Sequence, residues 1–237
     1  MKTVFHVAQS RGVADHGWLR SHHTFSFAGY HDPNRVHFGA LRVINDDEVA
    51  GGKGFEAHPH HNMEIISLPI SGDLAHRDSM GHAGVIRSGD VQIMSAGTGV
   101  VHSEMNANAN IPVQFLQIWV LPNQQDVEPR YAQQRWADVA QANDFQQIVS
   151  PREDDAGVWL HQQAWFSLAR WQGRVEKTYT LHRPGNGVYV FVIDGQARVN
   201  DIPLAKRDGL GVWETDSFRL KVDVAAEILL MEVPMAV

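Results

Sequence analysis

The sequence predicts an all-β protein built from two antiparallel β-barrels. Three observations predict it. Apolar runs are short, rich in Val, Ile, Phe and Trp, and cut by Gly, Asp, Asn and Ser turns. A pattern of strand, glycine turn and strand occurs in each half of the chain. Only one stretch, EPRYAQQRWADVAQA from Glu128 to Ala142, departs from strand character.

The predicted strands of the first half are ALRVIND, EIISLPI, LAHRDS, VQIMSA and VQFLQIWVL. Those of the second are VWLHQ, AWFSLARW, RVEKTYTL, GVYVFVI, QARVN, GLGVWE, FRLKVDV and AEILLMEV. In the first half EIISLPISGDL turns at Gly72 and RSGDVQIMSAG at Gly89, 17 residues later. In the second, VYVFVIDGQA turns at Gly195 and KRDGLGVWETD at Gly209, 14 residues later. The likeness is one of pattern and not of identity, and it reads as a duplicated barrel. The division is then residues 1–127, a connection over 128–145 with a short helical turn or two, and 146–237.

Composition bounds the chemistry. The chain has 237 residues, 43% hydrophobic and 20% charged, so a buried core is expected. It has no cysteine, which excludes disulfides, thiolate metal sites and a Cys nucleophile. Any metal must be held by His, Asp or Glu. A net charge of −7 argues against direct nucleic-acid or anionic-membrane binding. No apolar leader and no run of about 20 apolar residues is present, so a cytoplasmic protein is expected; no exposed apolar face is identifiable from the sequence, and a monomer is expected. Histidine is unevenly placed: 12 of 14 lie at or before His102.

The strongest signal lies in GKGFEAHPHHNMEIISLPISG, Gly52 to Gly72. His58 and His60 stand at i and i+2, which in extended chain puts both imidazoles on one face. GDVQIMSAGTGVVHSEMN, Gly89 to Asn106, repeats the spacing with His102 and Glu104. If the two segments are neighbouring strands, three imidazoles and a carboxylate converge. That donor set suits Fe, Mn, Co, Ni, Cu or Zn, and a six-coordinate ion would keep two positions open. His61 alternates to the other face. Glu64 shares the parity of His58 and His60. It reads as a ligand, as an acceptor for an imidazole N–H, or as an ordinary strand residue.

The spacings Gly-x5-His-x-His-x3-Glu and Gly-x5-Ser-Ala-Gly-x4-His-x3-Asn resemble the paired motifs of the cupin superfamily. Within it, HGWLRSHHTFSFAGYHDP (His16–Pro33), LRVINDD (Leu41–Asp47), HPHHNMEI (His58–Ile65), RDSMGH (Arg77–His82) and MSAGTGVVHSE (Met94–Glu104) together resemble the pirin family. The resemblance spans most of residues 12–122. It implies a bicupin fold of two jelly-roll (double-stranded β-helix) barrels. It also implies His58, His60, His102 and Glu104 as metal ligands, leaving Glu64 to support the site or the fold. The ion implied is one divalent transition metal, Fe(II) first, with Cu, Mn, Co, Ni or Zn as alternatives. The second barrel lacks the equivalent set: Pro184 stands two residues after His182, and no histidine follows.

The family resemblance implies a quercetin 2,3-dioxygenase-like activity. A flavonol-like aromatic and O2 are the substrates, Glu104 takes the 3-hydroxyl proton, the heterocycle opens and carbon monoxide leaves. A second implied role is an iron-dependent transcriptional cofactor that works through a protein partner without turnover. His22, His23, Phe25, Phe27 and Tyr30 read as core packing, as the rim of an aromatic site, or as a brace between barrels. Arg42 reads as a buried ion-pair partner or a surface residue. Trp119, Trp159, Trp165, Trp171 and Trp213 read as core.

Overall fold

Four sheets arranged as two barrels account for almost all regular structure in the computed structural model, which describes residues 1–236. The large sheet of the first barrel orders its strands Arg130–Arg135, Asp90–Ser95, Glu64–Ser71, Val113–Val120, Leu41–Val49, Leu19–His23 and Gly12–Asp15. Its small sheet orders Gly54–His60, Val100–Asn106, Asp73–Asp78 and Ala83–Arg87.

In the second barrel the large sheet runs Lys2–His6, Gly209–Trp213, Asn186–Gly195, Ala225–Pro234, Trp165–Gln172, Phe145–Ser150 and Val158–Trp159. The small sheet runs Val175–Thr180, Ser217–Val222, Ala197–Val199 and Ile202–Leu204. Pairing is antiparallel except between Phe145–Ser150 and Val158–Trp159. Among the described residues no helix is long and apolar enough to cross a membrane.

Period-two alternation sorts the core into separate bodies. One face of the first large sheet gives Ile66, Leu68, Ile93, Leu116 and Ile118 to a core shared with Phe166, Tyr189, Phe191 and Leu229 of the second barrel. The two large sheets thus pack on each other. The second barrel is filled by a continuous apolar core that includes Trp171, Val190, Val199 and Leu220. The first barrel is not. Its interior holds two small apolar groups, one with Leu74 and Phe115, the other with Ile65 and Met94. Polar side chains occupy the space between them.

The structure departs from the sequence reading in several places. The first strand, Lys2–His6, pairs with Gly209–Trp213 and so belongs to the second barrel. The connecting stretch holds a strand, Arg130–Arg135, paired with Asp90–Ser95 of the first barrel. Its helical content is one 3-10 turn, Trp136–Asp138. Both strands cross the division drawn from sequence, because each satisfies an edge of the opposite body. Gly209 is not the turn residue. It opens a strand, and a Cβ there would lie 2.2 Å from the Tyr189 hydroxyl oxygen, so close packing requires the glycine. The turn before it uses Arg207, at φ +67°.

Candidate metal centre

His102 is the central side chain of the site. The strand Val100–Asn106 pairs with Gly54–His60 so that His102 lies directly opposite His58. His60 follows on the same face. The three ring centroids are separated by 4.9 Å (His58–His60), 4.4 Å (His58–His102) and 4.9 Å (His60–His102). One donor nitrogen from each lies within 4.8 Å of the others, a spacing at which a single ion can reach all three.

The protonation states suit chelation. Burial, aided by the neighbouring His102 and His58, pushes His60 down to about 4. Burial, with His58 and His76 nearby, pushes His102 down to about 3. Both rings are therefore neutral near pH 7, with lone pairs available. His58 Nδ1 donates to the Glu56 carbonyl at 2.7 Å, which leaves its Nε2 as the free lone pair. Both ring nitrogens of His102 are buried with no hydrogen-bond partner. A buried orphan imidazole costs free energy unless something binds it, so these residues fit a metal ion.

Glu104 is on the same strand and faces inward with His102. Its carboxylate reaches across the barrel. Ser67 Oγ–H donates to Oε1 at 2.9 Å, and Gln117 Nε2–H donates to Oε2 at 2.7 Å. Glu104 lies within 4.8 Å of His102 and His76. Behind His102, His76 Nε2 is 3.1 Å from Asp78 Oδ2, and Asp78 also accepts from the Met80 and His82 backbone N–H groups.

Glu64 sits elsewhere. It accepts from Ser95 Oγ at 2.7 Å, His161 Nδ1 lies 3.3 Å away, and it has no hydrogen bond to His58, His60 or His102. The imidazole beside it belongs to the second barrel. His182 donates its backbone N–H to Glu232 at 3.0 Å, its Nδ1 lies 2.8 Å from the same carboxylate, and its ring stacks on Trp165.

A cavity of about 380 Å³ opens onto His58 and Glu104. Trp18, Phe27, Phe55 and Trp119 give it aromatic walls. Trp119 packs edge-on against His60 at 4.9 Å and against Phe27 at 5.3 Å. Ser21, His23, Asn45, Asp47 and Gln117 form its polar side. Of the aromatic segment near the N-terminus, His23 and Phe27 line this cavity, and Phe25 braces the barrels by packing on Tyr189. Arg42 makes no ion pair among the described residues; it donates to the Ser26 and Val36 carbonyls.

Sequence reading missed Ser67, Gln117, His76, Asp47 and the cavity-facing role of Trp119. Only His76 carried a signal, through its i, i+2 spacing with Asp78.

Two barrels, one with an inward histidine cluster beside a cavity and one filled by apolar side chains, define a bicupin. Comparison with known proteins agrees. The Pirin family model matches residues 4–120, and the model described as quercetinase C-terminal cupin domain matches residues 147–233. The chain is 39% identical over 229 residues to quercetin 2,3-dioxygenase of Escherichia coli (strain K12), covering 96% of each. It is 36% identical to the bacterial pirin YhhW of Escherichia coli, solved in complex with nickel(II), with a TM-score of 0.93 over the full length of both. A quercetin 2,3-dioxygenase from Acinetobacter baumannii shares the fold at 18% identity, with a TM-score of 0.78 over 98% of this chain and 79% of that one. The chain belongs to the pirin family.

Proposed function

We propose that this protein is a metal-dependent dioxygenase that opens the heterocycle of a flavonol-like substrate with O2 and releases carbon monoxide. His58, His60, His102 and Glu104 hold one divalent transition metal, Fe(II) first among the candidates. When bound, such an ion supplies Lewis acidity that eases ionisation of the substrate hydroxyl. Glu104 takes that proton, since a carboxylate oxygen with one donor already in place keeps further lone pairs free. Ser67 and Gln117 fix the carboxylate's orientation. The aromatic walls hold a planar substrate and exclude water. The alternative of a regulator without turnover gains less support, because a protein-binding role has no need of an aromatic cavity at the imidazoles. The observation that carries the catalytic reading is that cavity, opening directly on His58 and Glu104.

The test pairs metal content of the purified protein with quercetin consumption under air, for wild type and for the double variant His58→Ala/His60→Ala. Wild type is expected to hold about one equivalent of metal and to consume quercetin; the double variant is expected to do neither. Metal retained by the double variant removes these ligands. Quercetin left untouched by wild type loaded with iron, copper, manganese, cobalt or nickel removes the reaction.

A further inference from the structure

Seven acidic side chains are buried in the described residues, and one of them is unlike the rest. Glu64, Asp78, Asp90, Glu104, Asp208 and Glu232 each receive hydrogen bonds on both carboxylate oxygens. That is the usual condition for keeping a carboxylate out of water. Asp47 is 4% exposed, and its Oδ1 has no partner.

Its position is well defined. The strands Leu19–His23 and Leu41–Val49 place Ser21 opposite Asp47 and His23 opposite Asn45, all four buried and all four lining the cavity. His23 Nδ1–H donates to Asn45 Oδ1 at 2.8 Å, so that pair is satisfied internally. Ser21 stands opposite Asp47, whose Oδ1 is left with no partner. Asp47 is on the large sheet, whereas His58 and Glu104 are on the small sheet across the barrel. A ligand that spans the cavity meets the imidazoles at one side and the Asp47 carboxyl at the other.

The chemistry of that acceptor suits a hydroxyl. Burial pushes the Asp47 carboxyl up to about 7, with the charge of Glu104 adding to the effect. Near neutrality it can accept a hydrogen bond from a phenolic O–H, and in its protonated form it can also donate one. An amine would bring a charge between aromatic walls, and an apolar edge would leave the carboxyl unsatisfied.

We infer that Asp47 is a specificity-determining residue that receives a hydroxyl on the part of the substrate remote from the metal ligands, so that the cavity selects polyhydroxylated planar aromatics. The inference rests on the flavonol reading of the same site and narrows it.

The test is binding to the metal-loaded protein without oxygen, read by quenching of the cavity tryptophans. Quercetin is compared with 3-hydroxyflavone, which keeps the 3-hydroxyl and lacks the other hydroxyls. Wild type is expected to favour quercetin by about tenfold or more, the worth of one hydrogen bond to an otherwise unsatisfied buried group. Asp47→Leu is expected to bring the two affinities together. Asp47→Asn keeps an acceptor oxygen and is expected to retain most of the preference. Metal content and thermal midpoint are measured on each variant, so that a misfolded protein is not read as a loss of selectivity.

No preference in wild type, or a preference unchanged in Asp47→Leu, overturns the assignment. Quercetin held through Asp47 but never consumed keeps the anchor and removes the reaction. Quercetin consumed with a ratio indifferent to Asp47→Leu removes the anchor and keeps the reaction.

Discussion

Gln117 donates to Glu104 across the interior of the first barrel, Nε2 to Oε2 at 2.7 Å. The two residues come from different sheets. Gln117 is in register with Asn45 on one side and Ser67 on the other, and Ser67 with Gln92 beyond. A polar row therefore crosses the large sheet beneath the carboxylate. The barrel gives up continuous packing there to hold one carboxylate in place beside the imidazoles.

Replacing Glu104 by Gln keeps the shape and removes both the base and the anionic metal donor, so kinetics are compared at equal metal loading. The kcat for quercetin is expected to fall about 100-fold or more, the usual contribution of a positioned proton acceptor. KM should change far less, since the cavity walls are intact. Full turnover in Glu104→Gln takes this residue out of the mechanism.

Gln117→Leu tests the orientation of Glu104 without touching any proposed ligand. Loss of an outer hydrogen bond to a metal-site group typically lowers affinity or activity by about 10–100-fold. The expected outcome is a drop in metal affinity or kcat within that range, measured by metal titration and turnover. Wild-type values in both would mean that Ser67 alone suffices.

Stability should carry the signature of Asp47. Its carboxyl is raised from 3.8 to about 7 by burial. The folded state thus binds a proton that the unfolded state releases between about pH 4 and 7, and stability falls as pH rises through that window. At three units, the linkage reaches up to about 4 kcal/mol. Asp47→Asn removes the penalty. It should unfold at a higher temperature than wild type at pH 8, with the advantage vanishing near pH 4, in thermal scans at each pH. An advantage that is equal at both pH values contradicts the burial argument.

The three imidazoles were legible in sequence because alternation within one strand is a local property. His58 and His60 share one strand, and His102 and Glu104 another. The same counting misled at Glu64. Between His60 and Glu64 the chain leaves its strand through a turn with Asn62 at φ +48°, which resets the alternation and moves Glu64 to another sheet. Gln117 and Ser67 were not legible, since VQFLQIWV and EIISLPIS read as ordinary core strands until register sets them under Glu104. Lys2–His6 was unassigned for a related reason. A short edge strand carries no mark of which sheet it will complete.

The second barrel offers the last test, because it resolves an ambiguity that its histidine leaves open. His182 stands at the place of a first-barrel ligand, but its partner is Glu232, a fully buried carboxylate. Glu232 also accepts from the backbone N–H groups of His182 and Arg183, from Asn186 Nδ2 and from the Tyr179 hydroxyl. Burial alone would raise this carboxyl, yet the hydrogen bonds from His182 and Asn186 hold it below its ordinary value. The group is a structural knot that ties the loop after Val175–Thr180 to the long strand Ala225–Pro234. Glu232→Gln turns one acceptor oxygen into a donor and strands at least one buried N–H or O–H, at about 1–3 kcal/mol. For a chain of this size that lowers the melting midpoint by roughly 2–4 °C per kcal/mol. Metal content and quercetin turnover should stay at wild-type levels, because no proposed ligand or cavity residue is touched. Loss of metal in Glu232→Gln, with the midpoint unchanged, would make the second barrel part of the site and not its support.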